Sequence, residues 1–414
     1  MLIKMEDIKL VTDKNKCCGC GACANICPKK AIKLVEDEYG FKYPNINKEL
    51  CIKCGLCKRT CNYQKNTELK NVRETYIATL NNKELIKNSA SGGIFAAIAK
   101  SVLEKNGIVV GCAWVKEDNR LKAQHIGITS EKELYKLQGS KYVQSDTNEI
   151  YKYVKKYLDL NKIVLFSGTP CQVDGLYGFL NGKEYPNLYT IDIICHGTPS
   201  AAFFNDYLKI INKKLKGRII DFKFRDKTDS WGLKGKVWYE NHRNKIKYKK
   251  MPVQLSSYYN LFLNAEIYRE NCYSCKYATD KRIGNITIGD YWGIEKVHPE
   301  CLVENGGEFD TRYGISCLLV NDENGEKLIK EFGNELILKK SSIEKAAMQN
   351  EQLKRPCNIG KNRKKIMTIY VKDGYDGIEK WYYKQLGIKK YIYTAWNHLP
   401  RKIQVVLKKY VIKL

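Results

Sequence analysis

Apolar and polar positions change period several times along the chain. In AIKLVEDEYGFKYPNI, residues 31–46, apolar side chains recur two apart on either side of Glu38, Tyr39 and Gly40, which predicts two short strands and a tight turn. A polar stretch, QKNTELKNVRE, reads as a linker, and TYIATL then opens a new pattern. NSASGGIFAAIAKSVLEKNGIVVGCAW predicts a loop, a helix from about Gly93 to Glu104 with Ser91 as its N-cap, and a buried strand from Ile108 to Trp114. Further on, Ile163 to Phe166 is an apolar strand, SGTP a turn, Gln172 to Leu180 a helix and Leu188 to Ile194 a second strand. Strand, helix, strand units are nearly always right-handed with parallel strands, so Cys171 and Cys195, each just past a strand's carboxyl end, should emerge at one sheet edge. A last strand, Ile286 to Ile288, ends in the turn Gly289, Asp290, Tyr291, Trp292, Gly293.

From about Gly360 the pattern becomes helical and rich in lysine. Ile403, Val406, Leu407, Tyr410, Val411 and Leu414 share one face of a terminal helix, with Lys402, Lys408, Lys409 and Lys413 on the other. Such a helix packs on its own domain or a partner subunit, or lies on an anionic membrane surface. These changes divide the 414 residues into 1–66, 75–160, 161–358 and a basic helical tail, 359–414.

Composition narrows the function classes. No apolar stretch approaches the roughly 18 to 20 residues of a membrane span. The start, MLIKMEDIKLV, lacks the basic-then-apolar pattern of a signal peptide, so 17 cysteines point to thiols in a reducing cytoplasm rather than to disulfides. The formal net charge is +27, yet no RNP, helix-turn-helix or finger pattern accompanies it, and nucleic acid is not the expected partner. The excess lysine reads as compositional drift, or as steering of an acidic partner such as a small ferredoxin or flavodoxin, or of an anionic substrate.

The cysteines carry the chemistry. Cys17, Cys20, Cys23 and Cys27, then Cys51, Cys54, Cys57 and Cys61, repeat the spacing CxxCxxCxxxC, the signature of a bacterial-type ferredoxin with two 4Fe-4S clusters. Zinc sites group their ligands as pairs rather than fours. In a two-cluster ferredoxin the displaced fourth cysteine reaches across, so one cluster takes Cys17, Cys20, Cys23 and Cys61 and the other Cys51, Cys54, Cys57 and Cys27. Asn62 follows Cys61 where Pro28 follows Cys27, a departure expected to alter the first cluster's potential or exposure without removing it. Among the other cysteines, Cys171, Cys195, Cys272 and Cys275 stand in turn-rich contexts. Four is the number one cubane needs, and a structural zinc or unrelated free thiols fit the same four. Cys18, Cys112, Cys301, Cys317 and Cys357 show no partner spacing and read as packing or surface thiols.

SASGGIF, LQGSKYVQSD, LFSGTPCQVDGL, DIICHGTPS, CYSCKYA and ITIGDYWG, in order between about Asn88 and Arg355, resemble the family of coenzyme F420 hydrogenase/dehydrogenase beta subunits. These are iron-sulfur flavoproteins whose archaeal members handle deazaflavin. The resemblance implies a mixed α/β (α+β) fold, with a ferredoxin domain before an α/β FAD-binding domain. It also implies FAD in the middle region and a third 4Fe-4S cluster near it, which makes Cys171, Cys195, Cys272 and Cys275 the preferred ligand set. Ser91, Gly92 and Gly93 at a helix N-terminus offer N–H groups for a pyrophosphate or a flavin carbonyl, although they also suit a plain helix start, and the GxGxxG fingerprint is absent. Gln138, Gly139, Ser140 and Lys141 form a polar loop, and a lysine near a flavin would stabilise its reduced anion. His196 could relay a proton or hydrogen-bond a cluster sulfur. Asp290 and Trp292 end a strand that would lie close to the flavin or cluster, or simply make a turn.

The expected function is an oxidoreductase passing electrons between a one-electron carrier and an organic substrate or deazaflavin, with Lys141, His196 and Asp290 as candidate catalytic residues. Its rivals are a non-catalytic electron-transfer subunit of a larger complex and a coenzyme F420 dehydrogenase-type subunit.

Overall fold

A computed structural model describes residues 9–118, 120–399 and 403. The first hairpin pairs β1 (Ile32–Glu36) antiparallel with β2 (Lys42–Ile46), and the short helices Ala22–Ile26 and Leu56–Thr60 lie within the two cysteine runs. The linker leads into β3 (Glu74–Leu80), followed by β4 (Ile108–Glu117), β5 (Arg120–Ile128), β6 (Val164–Gly168) and β7 (Leu188–Ile193). A separate antiparallel sheet comprises β8 (Gly217–Lys223), β9 (Lys234–Asn241) and β10 (Ile246–Pro252). The chain then returns through β11 (Ile286–Asp290), β12 (Ser316–Val320) and β13 (Leu336–Ser341).

Eight strands form one mixed sheet, ordered β13-β3-β12-β11-β7-β6-β4-β5. Its centre, β11, β7, β6 and β4, is parallel, and both flanks are antiparallel. Apolar runs such as Val164 to Phe166 and Leu188 to Ile191 are buried throughout, as strands covered on both faces must be. Asp192, the carboxylate of β7, is fully buried and neutralised by Arg282 at 2.9 Å, and it also accepts from the Ile283 and Gly284 N–H groups. β6 and β7 are parallel neighbours, so their carboxyl ends share one edge, and Cys171 and Cys195 follow there.

Two expectations are corrected. The helix after the SASGG run spans Ile94–Glu104 and its N-cap is Gly93, not Ser91, because the chain turns through a left-handed conformation (φ +83°) that glycine adopts without strain. Ser91 instead donates to the Ile315 carbonyl at 2.9 Å. The expected tail from residue 359 begins with a helix, Arg363–Leu386, that belongs to the core. Its Ile366, Tyr375 and Ile378 are buried against Phe203 and Tyr207, and a kink at Gly374 lets it follow that surface. The expected terminal amphipathic face lies outside the described residues except for Ile403. Among the described residues no helix is long and apolar enough to cross a membrane.

His125 on β5 is buried, with Nε2 at 3.1 Å from the Ser167 carbonyl and Nδ1 at 3.0 Å from Ser145 Oγ. Desolvation drives its pKa down from 6.5 to about 4. A group that is neutral when folded binds more protons unfolded, so its stabilisation is complete above the unfolded pKa and is lost as pH falls through the folded one. Scanning calorimetry should therefore show stability falling by up to about 3 kcal/mol across that interval, and His125→Gln should flatten the fall. Identical pH profiles for the two proteins would refute the assignment.

Candidate functional site

The two N-terminal cysteine sets converge as two groups of four. Burial pushes the Cys23 thiol well up, and the sulfurs of Cys20, Cys17, Cys61 and Cys57 raise it further. The first three complete one set, and Cys57 belongs to the other, so the two sets lie side by side. Cys27, Cys51, Cys54 and Cys57 line a small cavity closed by Ala31, Ile32 and Ile46. Gly21 and Gly55, both left-handed, start the two short helices and let each chain wrap its sulfurs around a centre.

A second cavity lies deeper, beyond the carboxyl ends of β6 and β7. Six cysteines line it: Cys18, Cys171, Cys195, Cys272, Cys275 and Cys357. Burial raises the Cys195 thiol well above its ordinary value, and the sulfurs of Cys272, Cys171 and Cys275 add to the shift, so these four face one another. Thr169, Pro170 and Gln172 explain where Cys171 sits. Pro170 starts the helix Pro170–Phe179, Gln172 Oε1 accepts from the Thr169 N–H at 3.1 Å, and Cys171 is held in the first turn, where the helix dipole favours a thiolate. Cys18 and Cys357, which spacing reads as packing or surface thiols, both line this cavity. Cys18 is buried within hydrogen-bond reach of both the Cys20 and the Cys171 sulfur, so it bridges the first set and the inner cavity. Spacing alone gives no sign of it, because the contact joins residues far apart in sequence.

The ferredoxin module is seated on the body by a few specific contacts. Tyr151 Oη donates to the carbonyls of Cys20 and Gln172, and Thr147 Oγ1 donates to Cys20. Asn62, the residue that departs from the proline pattern, donates to buried Asp174 at 3.0 Å, so the departure makes a docking contact. Close approach depends on two glycines of the helix Pro170–Phe179. A Cβ at Gly175 would lie 3.0 Å from Cys20 Sγ, and one at Gly178 would lie 2.3 Å from the Thr60 carbonyl. Arg269 stands between the two sulfur groups and is fully buried. Its guanidinium donates to the carbonyls of Cys17 and Lys42 and to Gln144, and it lies 3.6 Å from Cys17 Sγ and over the Tyr43 ring. Among the described residues it pairs with no carboxylate; burial raises the thiols of Cys17 and Cys272 and its charge opposes that rise, while at Cys171 it adds to the lowering that Cys18 chiefly causes.

Beyond the inner cavity lies a polar cluster that sequence reasoning finds only in part. His196 lines the cavity; the surrounding protein presses its pKa down while Asp290 acts in the opposite sense. Asp290 is held by Arg225 through two contacts, 2.7 and 3.2 Å, and by Trp231 Nε1 at 3.2 Å, so its carboxylate is already engaged. Trp231 stacks on Trp292, with Arg225 alongside both rings. Lys227 Nζ meets three carbonyls, those of Ile86, Ser91 and Tyr313. Three acceptors suit an ammonium, although burial and Arg225 push its pKa down to about 7. The residues expected around a flavin have internal partners: Gly92 N–H donates to Ser316 Oγ, Gln138 to Leu85 and Ser89, and Lys141 Nζ to the Lys136 and Gln138 carbonyls. Gly139, left-handed, makes the turn between Gln138 and Ser140.

Comparison with known proteins agrees with this layout. Residues 75–152 match the N-terminal model of the coenzyme F420 hydrogenase/dehydrogenase beta subunit, 161–346 match its C-terminal model, and 16–65 match a 4Fe-4S dicluster domain. The chain belongs to the family of coenzyme F420 hydrogenase/dehydrogenase beta subunits. This family member is 25% identical over 354 residues to an uncharacterized protein of Methanocaldococcus jannaschii, covering 76% of this chain and 91% of that one. It is 22% identical over 305 residues to a subunit of the F(420)H(2) dehydrogenase of Methanosarcina mazei, covering 70% and 81% respectively. A chain of the F420-reducing [NiFe] hydrogenase complex from Methanosarcina barkeri aligns with TM-score 0.41 and 16% identity, over 78% of this chain and 96% of that one.

Two variants probe how the family's fold and the ferredoxin module are joined. Removing a buried positive charge beside ligand sulfurs disfavours the added electron, so Arg269→Gln should lower the first cluster's midpoint potential in an EPR-monitored titration, and Arg269→Lys should recover part of the shift. An unchanged potential in Arg269→Gln would show that the charge is spent elsewhere. Gly178→Ala should cost about 1–3 kcal/mol through overpacking and hasten proteolysis in the linker at residues 64–74. A wild-type cleavage rate would refute the close approach.

Proposed function

We propose that this protein is an iron-sulfur flavoprotein oxidoreductase that passes electrons between a one-electron carrier protein and an organic substrate or deazaflavin. The observation that carries the reading is the contact, through Cys18, of the first ferredoxin sulfur set with a deeper cavity lined by six thiols. Converging sulfurs that raise one another's pKa are what an iron-sulfur core relieves, and all of these cysteines are free thiols. On this reading Cys171, Cys195, Cys272 and Cys275 hold a third 4Fe-4S cluster, and Cys18 and Cys357 stay as thiols beside it.

FAD rests on the family relationship, because the expected cradle from Ser91 to Gly93 and from Gln138 to Lys141 spends its donors internally. The cluster around His196, Arg225, Trp231, Trp292 and Lys227 is the better candidate for the neighbourhood of an organic cofactor. When bound, FAD would couple two-electron chemistry to one-electron transfer by the clusters. The chain's own part is to hold each group. Arg269 supplies positive charge between the sulfur sets, Arg225 holds Asp290 in place, and His196 stands between the cavity and that pair, placed to carry a proton. A second reading, an electron-transfer subunit of a larger complex, is favoured by the similarity to a protein named as part of a dehydrogenase.

Anaerobic purification with iron, sulfide and flavin analysis should find about twelve irons and one FAD per chain. About eight irons would remove the inner cluster from the reading, and absence of flavin would leave the second reading in place. Cys171→Ser and Cys275→Ser should each lose about four irons while keeping the ferredoxin-type EPR signals, and retention of all the iron would overturn the ligand assignment.

A further inference from the structure

We infer that the outer face of the second sulfur set, around Cys54, is a docking surface for a small acidic electron-carrier protein. The inference rests on the electron-transfer reading above and adds where the carrier binds. The two ferredoxin sets differ in their surroundings. The first touches the body through Cys18, Cys20, Tyr151 and Arg269, whereas the second includes Cys54, the one exposed cysteine among the described residues. Beside it Leu50 and Ile52 are 51% and 58% exposed, and Ile52 lines the same cavity as the four sulfurs. Two large aliphatic side chains left in water next to a redox centre form the small apolar middle of a transient contact.

The rim is cationic. Pro28, Lys29 and Lys30 are exposed on one side of Cys27, Lys48 precedes Leu50, Lys53 lies between Ile52 and Cys54, and Lys58 and Arg59 are exposed beyond Cys57. Glu49 is the single acidic residue within these two segments, 28–30 and 48–59. An apolar centre inside a positive rim fits a partner with carboxylates around its own redox centre. Such complementarity speeds encounter and fixes orientation, and it weakens with salt.

The test uses the anaerobically purified holoprotein and immobilised oxidised flavodoxin as an acidic probe, with cytochrome c as a basic probe. Flavodoxin should bind, its affinity should fall steeply with salt, and cytochrome c should bind far more weakly. Lys29→Glu with Lys58→Glu should weaken flavodoxin binding at least tenfold, and Leu50→Ser severalfold, with the clusters' visible absorption and iron content unchanged. Equal affinity of wild type and variants, or tighter binding of cytochrome c, would overturn the surface while leaving the cluster assignment intact. So would binding to phosphatidylserine vesicles that the double variant loses when flavodoxin does not bind. Failure of the electron-transfer reading shows separately, as missing iron in the wild-type protein.

Discussion

A buried guanidinium that has no carboxylate partner among the described residues organises the site. Arg269 is fully enclosed, and its donors go to the Cys17 and Lys42 carbonyls and to Gln144. Leaving such a charge uncompensated in a protein interior costs several kcal/mol. The groups able to balance it are sulfurs, from Cys17 on one side and from Cys171 and Cys272 on the other. As thiolates these cysteines would carry that compensating charge. The charge state of these sulfurs, the seating of the N-terminal module and the packing of the central loops are thus parts of one electrostatic balance.

The seating also explains details that are opaque along the chain. The helix Pro170–Phe179 presents Cys171 to the inner cavity at its first turn and glycines to the ferredoxin module along its length. Its small residues bring the module close enough for Cys18 to touch Cys171, and Asn62 and Asp174 lock the approach. One helix therefore sets both the inner sulfur geometry and the distance between the inner cavity and the ferredoxin module.

On the far side of the inner cavity the polar groups are held by one another. Asp290 is gripped by Arg225 and Trp231, and Lys227 by three carbonyls. Such satisfied networks are rigid. His196 stands at their border, where it lines the inner cavity.

What the chain determined by itself was whatever depends on local spacing and period. The repeated CxxCxxCxxxC runs specified two ferredoxin ligand sets, because a cubane needs three sulfurs within one short loop. The apolar runs of β6 and β7, with the Thr169-Pro170 helix start between them, specified a parallel unit and the shared edge where Cys171 and Cys195 emerge. What only the tertiary structure decided involves residues remote in sequence whose individual contexts look ordinary. Cys18 sits beside a predicted ligand, yet its significance lies in Cys171, and Arg225 shows its role only when β11 brings Asp290 to it. Ser91 has the side chain of a cap, but Gly93 takes the left-handed turn, and Arg363–Leu386 has the composition of a tail, but its apolar side chains find their purpose against Phe203 and Tyr207. Short-range geometry is written in residue spacing, whereas the neutralisation of a buried charge and the joining of two sulfur groups depend on long-range packing that no local pattern encodes.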